Sequence, residues 1–156
     1  MLSKYSKLFI AIVWAVAAFA SCDNNSGIVK PPFNGGENAS VRLSALGDCQ
    51  NQQAATLANI ERHDELQATV QDGKVSFIHT RALYNCCMDS VSLDMEADSE
   101  IIRVVETEHC KNPCFCICEY AVYGEIMDLE PGSYTIQIFS EPNIEEMLCS
   151  VTVKIN

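Results

Sequence analysis

From Ala39 onward the apolar residues of this chain recur at every second position. Val41, Leu43 and Ala45 alternate with Arg42 and Ser44, and Leu66, Ala68 and Val70 with Gln67 and Thr69. Val75 and Phe77 alternate with Lys74 and Ser76, and Val91, Leu93 and Met95 with Ser92, Asp94 and Glu96. Near the end Tyr134, Ile136 and Ile138 form another such run, and Cys149, Val151, Val153 and Ile155 the last. Side chains of an extended chain point alternately to opposite faces, so each run predicts a strand with one buried face. Ile101 to Val105 is apolar but shows no clear face. Asp72-Gly73 lies between two of the runs and suits a two-residue hairpin turn, which needs positive φ at both positions. Gln50 to Asp64 lacks the alternation. Its weak helical spacing at Leu57 and Ile60 predicts a loop with at most one helical turn. About seven to eight strands separated by turns predict an all-β domain, a sandwich or barrel, over residues 39–156.

The first 38 residues follow another pattern. Lys4 and Lys7 precede an uninterrupted apolar run from Leu8 to Ala20, and small residues close it. A basic head, a short apolar stretch and small residues at its end are the parts of a secretory signal. Thirteen residues fall short of the roughly 20 needed to cross a bilayer. The run ends Phe19-Ala20-Ser21-Cys22, which resembles the lipobox of bacterial lipoproteins, with Phe19 where that family most often has leucine. The resemblance implies removal of residues 1–21 and attachment of diacylglycerol to the Cys22 sulfur. Two acyl chains hold a protein stably on a membrane where one holds it marginally. The expected address is therefore the cell envelope, on the outer membrane or cell surface, although Asp23 also resembles an inner-membrane retention signal. Residues 22–38, rich in Gly, Pro, Asn and Ser, read as a flexible tether. As a random coil, Asp23 to Asn38 would reach about 20–24 Å.

Loss of Lys4 and Lys7 with the leader leaves eight basic residues against 21 acids, a net charge of −13. Such a domain repels nucleic acid and anionic lipid, so neither is an expected partner. Trp14, the sole tryptophan, leaves with the leader and takes the best aromatic platform for a ligand with it.

Leu129-Glu130-Pro131-Gly132-Ser133-Tyr134-Thr135-Ile136 resembles the L-x-P-G-x-Y-x-I corner of fibronectin type III and other immunoglobulin-like domains. In those domains the tyrosine hydroxyl bonds back to upstream backbone. The resemblance implies an immunoglobulin-like sandwich rather than a barrel.

Eight further cysteines lie in the mature chain: Cys49, Cys86, Cys87, Cys110, Cys114, Cys116, Cys118 and Cys149. An even number in a small exported domain predicts disulfides, without fixing their connectivity. On a strand, Cys114, Cys116 and Cys118 share a face with Tyr120, Val122 and Ile126, opposite Glu119 and Glu125. Neighbours two apart on a strand are about 6.6 Å apart, too far for a disulfide, so each of the three is expected to pair with a distant cysteine. Cys149 is a candidate from the inner face of its own strand, and at most one of Cys86 and Cys87 is expected on that core side. Two other chemistries compete. The run His109 to Cys118 is dense in soft ligands suited to Zn²⁺ or Cu(I), although structural zinc sites place cysteine pairs on turns. Redox exchange is the third, without the usual C-x-x-C. The Cys-Cys doublet, the C-x-C-x-C-x-Tyr run and the P-G-x-Y corner together resemble a group of small lipoproteins of Gram-negative bacteria with no assigned activity, across Asn85 to Phe139.

Other patterns are weaker. Asp94-x-Glu96-x-Asp98 resembles the start of a calcium loop, but Ser99 and Val105 stand where that loop needs Gly and Glu. His63, His79 and His109 lie in no hydrolase motif and read as solvated or hydrogen-bonded side chains. Asn24 and Asn38 each begin an N-x-S pattern that bacteria of this type generally leave unmodified. The expected function is that of a non-enzymatic envelope lipoprotein without a cofactor, binding a protein or glycan ligand of unknown identity. Soft-metal binding through the cysteines is the alternative.

Overall fold

The computed structural model describes residues 38–54 and 62–156. The expected leader, Cys22, all but the last residue of the expected tether, and Leu57 and Ile60 of the expected helical turn lie outside them. The described residues form an all-β, disulfide-rich sandwich of nine strands in two sheets. The strands are β1 (Ser40–Leu46), β2 (Gln50–Ala54), β3 (Glu65–Gln71), β4 (Lys74–Asn85), β5 (Ser90–Asp98), β6 (Ile101–His109), β7 (Cys116–Met127), β8 (Gly132–Ser140) and β9 (Cys149–Ile155). One sheet runs β1-β7-β4-β3, with β2 also on β7, and the other runs β5-β6-β8-β9. Gln50–Ala54, expected to be loop, is strand β2. Its polar side chains give no alternation, because β7 supplies it with a hydrogen-bonding edge whatever those side chains are.

Each predicted run is a strand with most of its apolar set inward; Ala45, past a register shift in β1, and Val70, near the end of β3, are exposed. Val75, Phe77, Ile102, Val104, Ile126, Ile136, Ile138 and Ile155 meet between the sheets as one apolar cluster. Ala82, Tyr84, Val91, Cys118, Tyr120 and Val122 form a second. Ile101–Val105, which shows no face in sequence, has one here: Ile102 and Val104 turn inward while Ile101 is exposed at the outer face. Gly124 stands directly across from Phe77, and the ring covers it so closely that a β-carbon there would lie 2.1 Å from Cζ.

The turns follow their chemistry. Asp72 and Gly73 take φ of 51° and 72° and close the β3–β4 hairpin. The Tyr134 hydroxyl donates to the Glu130 carbonyl at 3.1 Å, the bond implied by the corner motif. One junction departs from the antiparallel sheets of an immunoglobulin-like sandwich: β6 and β8 are parallel. The chain leaves β6, crosses to the other sheet as β7 and returns as β8, so it re-enters beside β6 in the same direction. The acids of β5, Asp94, Glu96 and Asp98, are exposed on the outer face of an edge strand. Charge there discourages pairing with another sheet.

β7 fixes the long axis of the domain. Ser40, where the chain enters, pairs with Met127 at the far end of β7, whereas Cys116 begins the same strand. At about 3.3 Å per residue those ends are roughly 36 Å apart. Loops 47–49, 86–89 and 110–115 share the Cys116 end.

Candidate functional site

Two constellations stand out, a cystine tip and a buried charged network. The tip holds seven of the eight cysteines expected to form disulfides. Cys49 pairs with Cys118, Cys86 with Cys116, and Cys87 with Cys114, with Cα separations of 5.3, 5.6 and 5.7 Å. The C-x-C-x-C run is thus fastened by three bonds to two segments of chain, at Cys49 and at the Cys86-Cys87 turn, with no bridge inside it. Two details differ from expectation. Cys114 precedes the strand rather than lying on it, and both Cys86 and Cys87 bond to the run. Cys86-Cys87 occupies a turn, so the strict opposition of neighbouring strand side chains does not apply.

Cys110 and Cys149, expected as disulfide partners, are both free thiols. Cys149 pairs in register with Ile138, which pairs with Val104, six residues back along β6 from Cys110. That displacement is about 20 Å, far beyond disulfide reach. Cys110 is at the tip but is the odd seventh cysteine there.

Asn85 organises the tip. Its Oδ1 accepts from the backbone N–H groups of Cys87 and Cys114, and its Nδ2 donates to the Cys114 carbonyl at 2.8 Å. Asp89 accepts from the Lys111 N–H at 2.8 Å. These bonds and two disulfides hold Phe115 out of the protein, 96% exposed. An aromatic ring left in water on a braced loop costs free energy unless something covers it. Nothing in the sequence distinguished Phe115 from a core residue, because it sits among cysteines whose pairing decides which way it points. The sulfurs of Cys49, Cys86 and Cys118 lie within 4.8 Å of one another, the one group among the described residues close enough to hold a metal ion.

The second constellation lies between the two apolar clusters. His79 and Glu106 are each fully buried. His79 Nδ1 is 3.0 Å from both Glu106 carboxylate oxygens, and Nε2 is 3.0 Å from Asp64 Oδ1. Tyr84 donates to Glu106 Oε2, and Arg62 caps Asp64 from outside at 3.1 Å. The Cys149 thiol also bonds to His79. Burial alone would depress the imidazole. The bonds to Asp64, Cys149 and Glu106 and the negative charge of Glu106 outweigh it, and the pKa is pushed up to about 11. Burial would likewise raise Asp64, yet its bonds to His79 and Arg62 hold it below the usual carboxylate range. Burial and Glu106 push the Tyr84 phenol upward. His79 and Tyr84 are five residues apart and would face opposite sides of a regular strand. A bulge between His79 and Ala82, with Arg81 at φ 64°, turns both inward. An imidazolium clamped between two carboxylates has no vacant nitrogen with which to act as a base. The network joins β4 of one sheet to β6 of the other as a structural bridge.

His63 is exposed, and His109 Nε2 meets Ser92 Oγ at 2.8 Å. On the outer face of β7, Glu119 bonds Asn51 and Arg81, and Glu125 bonds Arg42 and Lys74. Both carboxyls are thereby held below their ordinary range. No described helix is long and apolar enough to cross a membrane. Comparison with protein families, curated proteins and solved structures finds no match to this chain.

Proposed function

We propose that this chain is a cell-envelope lipoprotein, anchored through Cys22, whose cystine tip is a non-enzymatic binding module for a protein or glycan. One observation carries the reading. The chain enters the sandwich at Ser40, at one end of β7, while the exposed Phe115 stands on a disulfide-braced loop at the other end. A tether at the entry end directs the tip away from the membrane. Bracing lowers the ordering cost of binding, which leaves more of the contact energy of an aromatic anchor as affinity.

The test uses the full chain in intact cells with a photo-crosslinking residue placed at Phe115 or, as a control, at the exposed Ser133 of the entry end. A discrete adduct at 115 and none at 133 is expected. Equal adducts, or none at 115, would sink the tip reading. In the same cells Cys22→Ala should release the protein from the membrane fraction and abolish fatty-acid labelling, and retained label would remove the anchor.

A second reading, soft-metal binding, draws on the sulfurs of Cys49, Cys86 and Cys118. It requires that both the Cys49–Cys118 and the Cys86–Cys116 bonds first be reduced. Zn²⁺ titration of the reduced and oxidised domain separates the readings: stoichiometric uptake by the reduced form with recovery of the native circular dichroism would favour metal.

A further inference from the structure

The Cys110 thiol is tied by hydrogen bonds to the two residues that flank the Cys87–Cys114 disulfide, Cys87 itself and Asn85. Its Sγ donates to the Cys87 carbonyl at 3.2 Å and lies 3.9 Å from Asn85 Oδ1. The same Oδ1 is 3.2 Å from the sulfur of Cys114, which is bonded to Cys87. Cys114 Sγ is in turn 3.5 Å from Cys116 Sγ, the partner of Cys86, and Cys86 lies within 4.8 Å of Cys49 and Cys118. Six sulfurs thus form one contiguous group, and the single thiol, Cys110, joins its edge through the Asn85 Oδ1 and the Cys87 carbonyl. A disulfide beside a thiol exchanges when the thiolate reaches one of its sulfurs.

We infer that the tip is a thiol–disulfide exchange centre, in which Cys110 opens the Cys87–Cys114 disulfide and delivers a thiol to the surface at Cys87. Cys110 gives its proton to water, and its thiolate attacks Cys114 Sγ. The Cys110–Cys114 bond forms, the Cys87–Cys114 bond breaks, and the electron pair leaves on Cys87, which takes a proton from water. Thiol and disulfide numbers are unchanged, so no oxidant is needed. Asn85 fits the role of a positioning residue, since its one carbonyl oxygen faces the entering and the central sulfur. The leaving sulfur belongs to an exposed residue, whereas Cys110 and Cys114 are both half-buried. Exchange therefore moves reactivity outward. The freed Cys87 thiolate can attack an external disulfide R–S–S–R, forming a Cys87–S–R mixed disulfide and releasing R–S⁻. The inference is independent of whatever Phe115 contacts.

The experiment uses the oxidised chain from residue 22 onward with Cys22→Ser and Cys149→Ser, which leaves one thiol per molecule, held at pH 8 with either glutathione disulfide or a scrambled disulfide-bonded protein. Quenching with acid, alkylation and mass mapping of unreduced digests then locate adduct and thiol. Mixed disulfide at Cys87, together with a Cys110–Cys114 linkage, is expected with at least one probe, and the responding probe tells whether small or protein disulfides are the substrate. Cys110→Ser in the same background should remove the Cys87 adduct while leaving three disulfides and an unchanged circular dichroism spectrum. Asn85→Ala, if it retains that spectrum, should slow adduct transfer to Cys87 more than the reaction at Cys110. Adduct confined to Cys110, or Cys87 reactivity that survives Cys110→Ser, would overturn the exchange. Neither outcome bears on crosslinking at Phe115.

Discussion

Replacing Glu106 by glutamine removes one negative charge from the buried network and keeps its shape. Glutamine can still accept from His79 Nδ1 and can meet the Tyr84 hydroxyl, so the change isolates charge from hydrogen bonding. Breaking a buried ion pair outright costs about 3–5 kcal/mol, because a charge is left uncompensated. Here Asp64 still faces Nε2 at 3.0 Å, and the expected loss at pH 7 is about 2–3 kcal/mol. For a domain of this size that lowers the melting temperature by roughly 10 °C, at about 4 °C per kcal/mol. The pH profile is the sharper test. The folded pKa of His79, about 11, lies above its ordinary 6.5, so protonation stabilises the fold. That contribution is complete below pH 6.5 and is lost as pH rises toward 11. Between pH 7 and 10 the unfolded imidazole is neutral while the folded one stays charged, so the wild type should lose up to about 4 kcal/mol at about 1.4 per pH unit. Asp64 has the opposite sign: its depressed pKa stabilises above its ordinary 3.8 and that stability is lost on acidification. Urea melts followed by circular dichroism suit the measurement, since the only tryptophan, Trp14, belongs to the expected leader. The wild-type and Glu106→Gln stability curves should converge as pH rises from 7 to 10. Curves that stay parallel over that range would refute the ionic origin of the bridge.

Two further perturbations test the packing and the cystine tip. Gly124→Ala puts a β-carbon 2.1 Å from Cζ of the buried Phe77 ring, which must shift to admit it, so a loss of about 1–3 kcal/mol is expected in urea melts. An unchanged midpoint would mean that the ring does not cover Gly124. Full reduction should unfold the domain at ambient temperature: the disulfides span sequence separations of 69, 30 and 27, and chain entropy gives each alone about 3.5–4.5 kcal/mol, against a total stability of about 5–15. A chelator should leave the melting temperature of the oxidised domain unchanged. A drop with chelator rather than reductant would reverse the assignment in favour of metal.

Pattern alone determined the all-β class, most of the strands and their inward faces, because alternation is a local property of extended chain under a one-sided demand for burial. The Asp72-Gly73 hairpin and the Tyr134 corner were equally local: each depends on a few adjacent residues and on the φ or hydroxyl they supply. Strand spacing also explained why Cys116 and Cys118 do not bond each other, whereas Cys114 lies before the strand with its sulfur 3.5 Å from that of Cys116, and the partners of all three were not legible. Which cysteines met them depended on three loops arriving at one end of β7, and that left Cys110 odd and Cys149 some 20 Å away. β2 escaped notice because its strand character comes from the edge of β7 rather than from its own side chains. Phe115 escaped because exposure is set by what surrounds a residue, not by the residue. His79, Tyr84 and Glu106 were unremarkable in sequence, since a bulge at Arg81 changes which face His79 and Tyr84 share, and Glu106 meets them only across the gap between sheets. A two-residue period is written along the chain. A charge balanced between two sheets, or a thiol set against a neighbouring disulfide, exists only once distant segments are brought within a few ångströms.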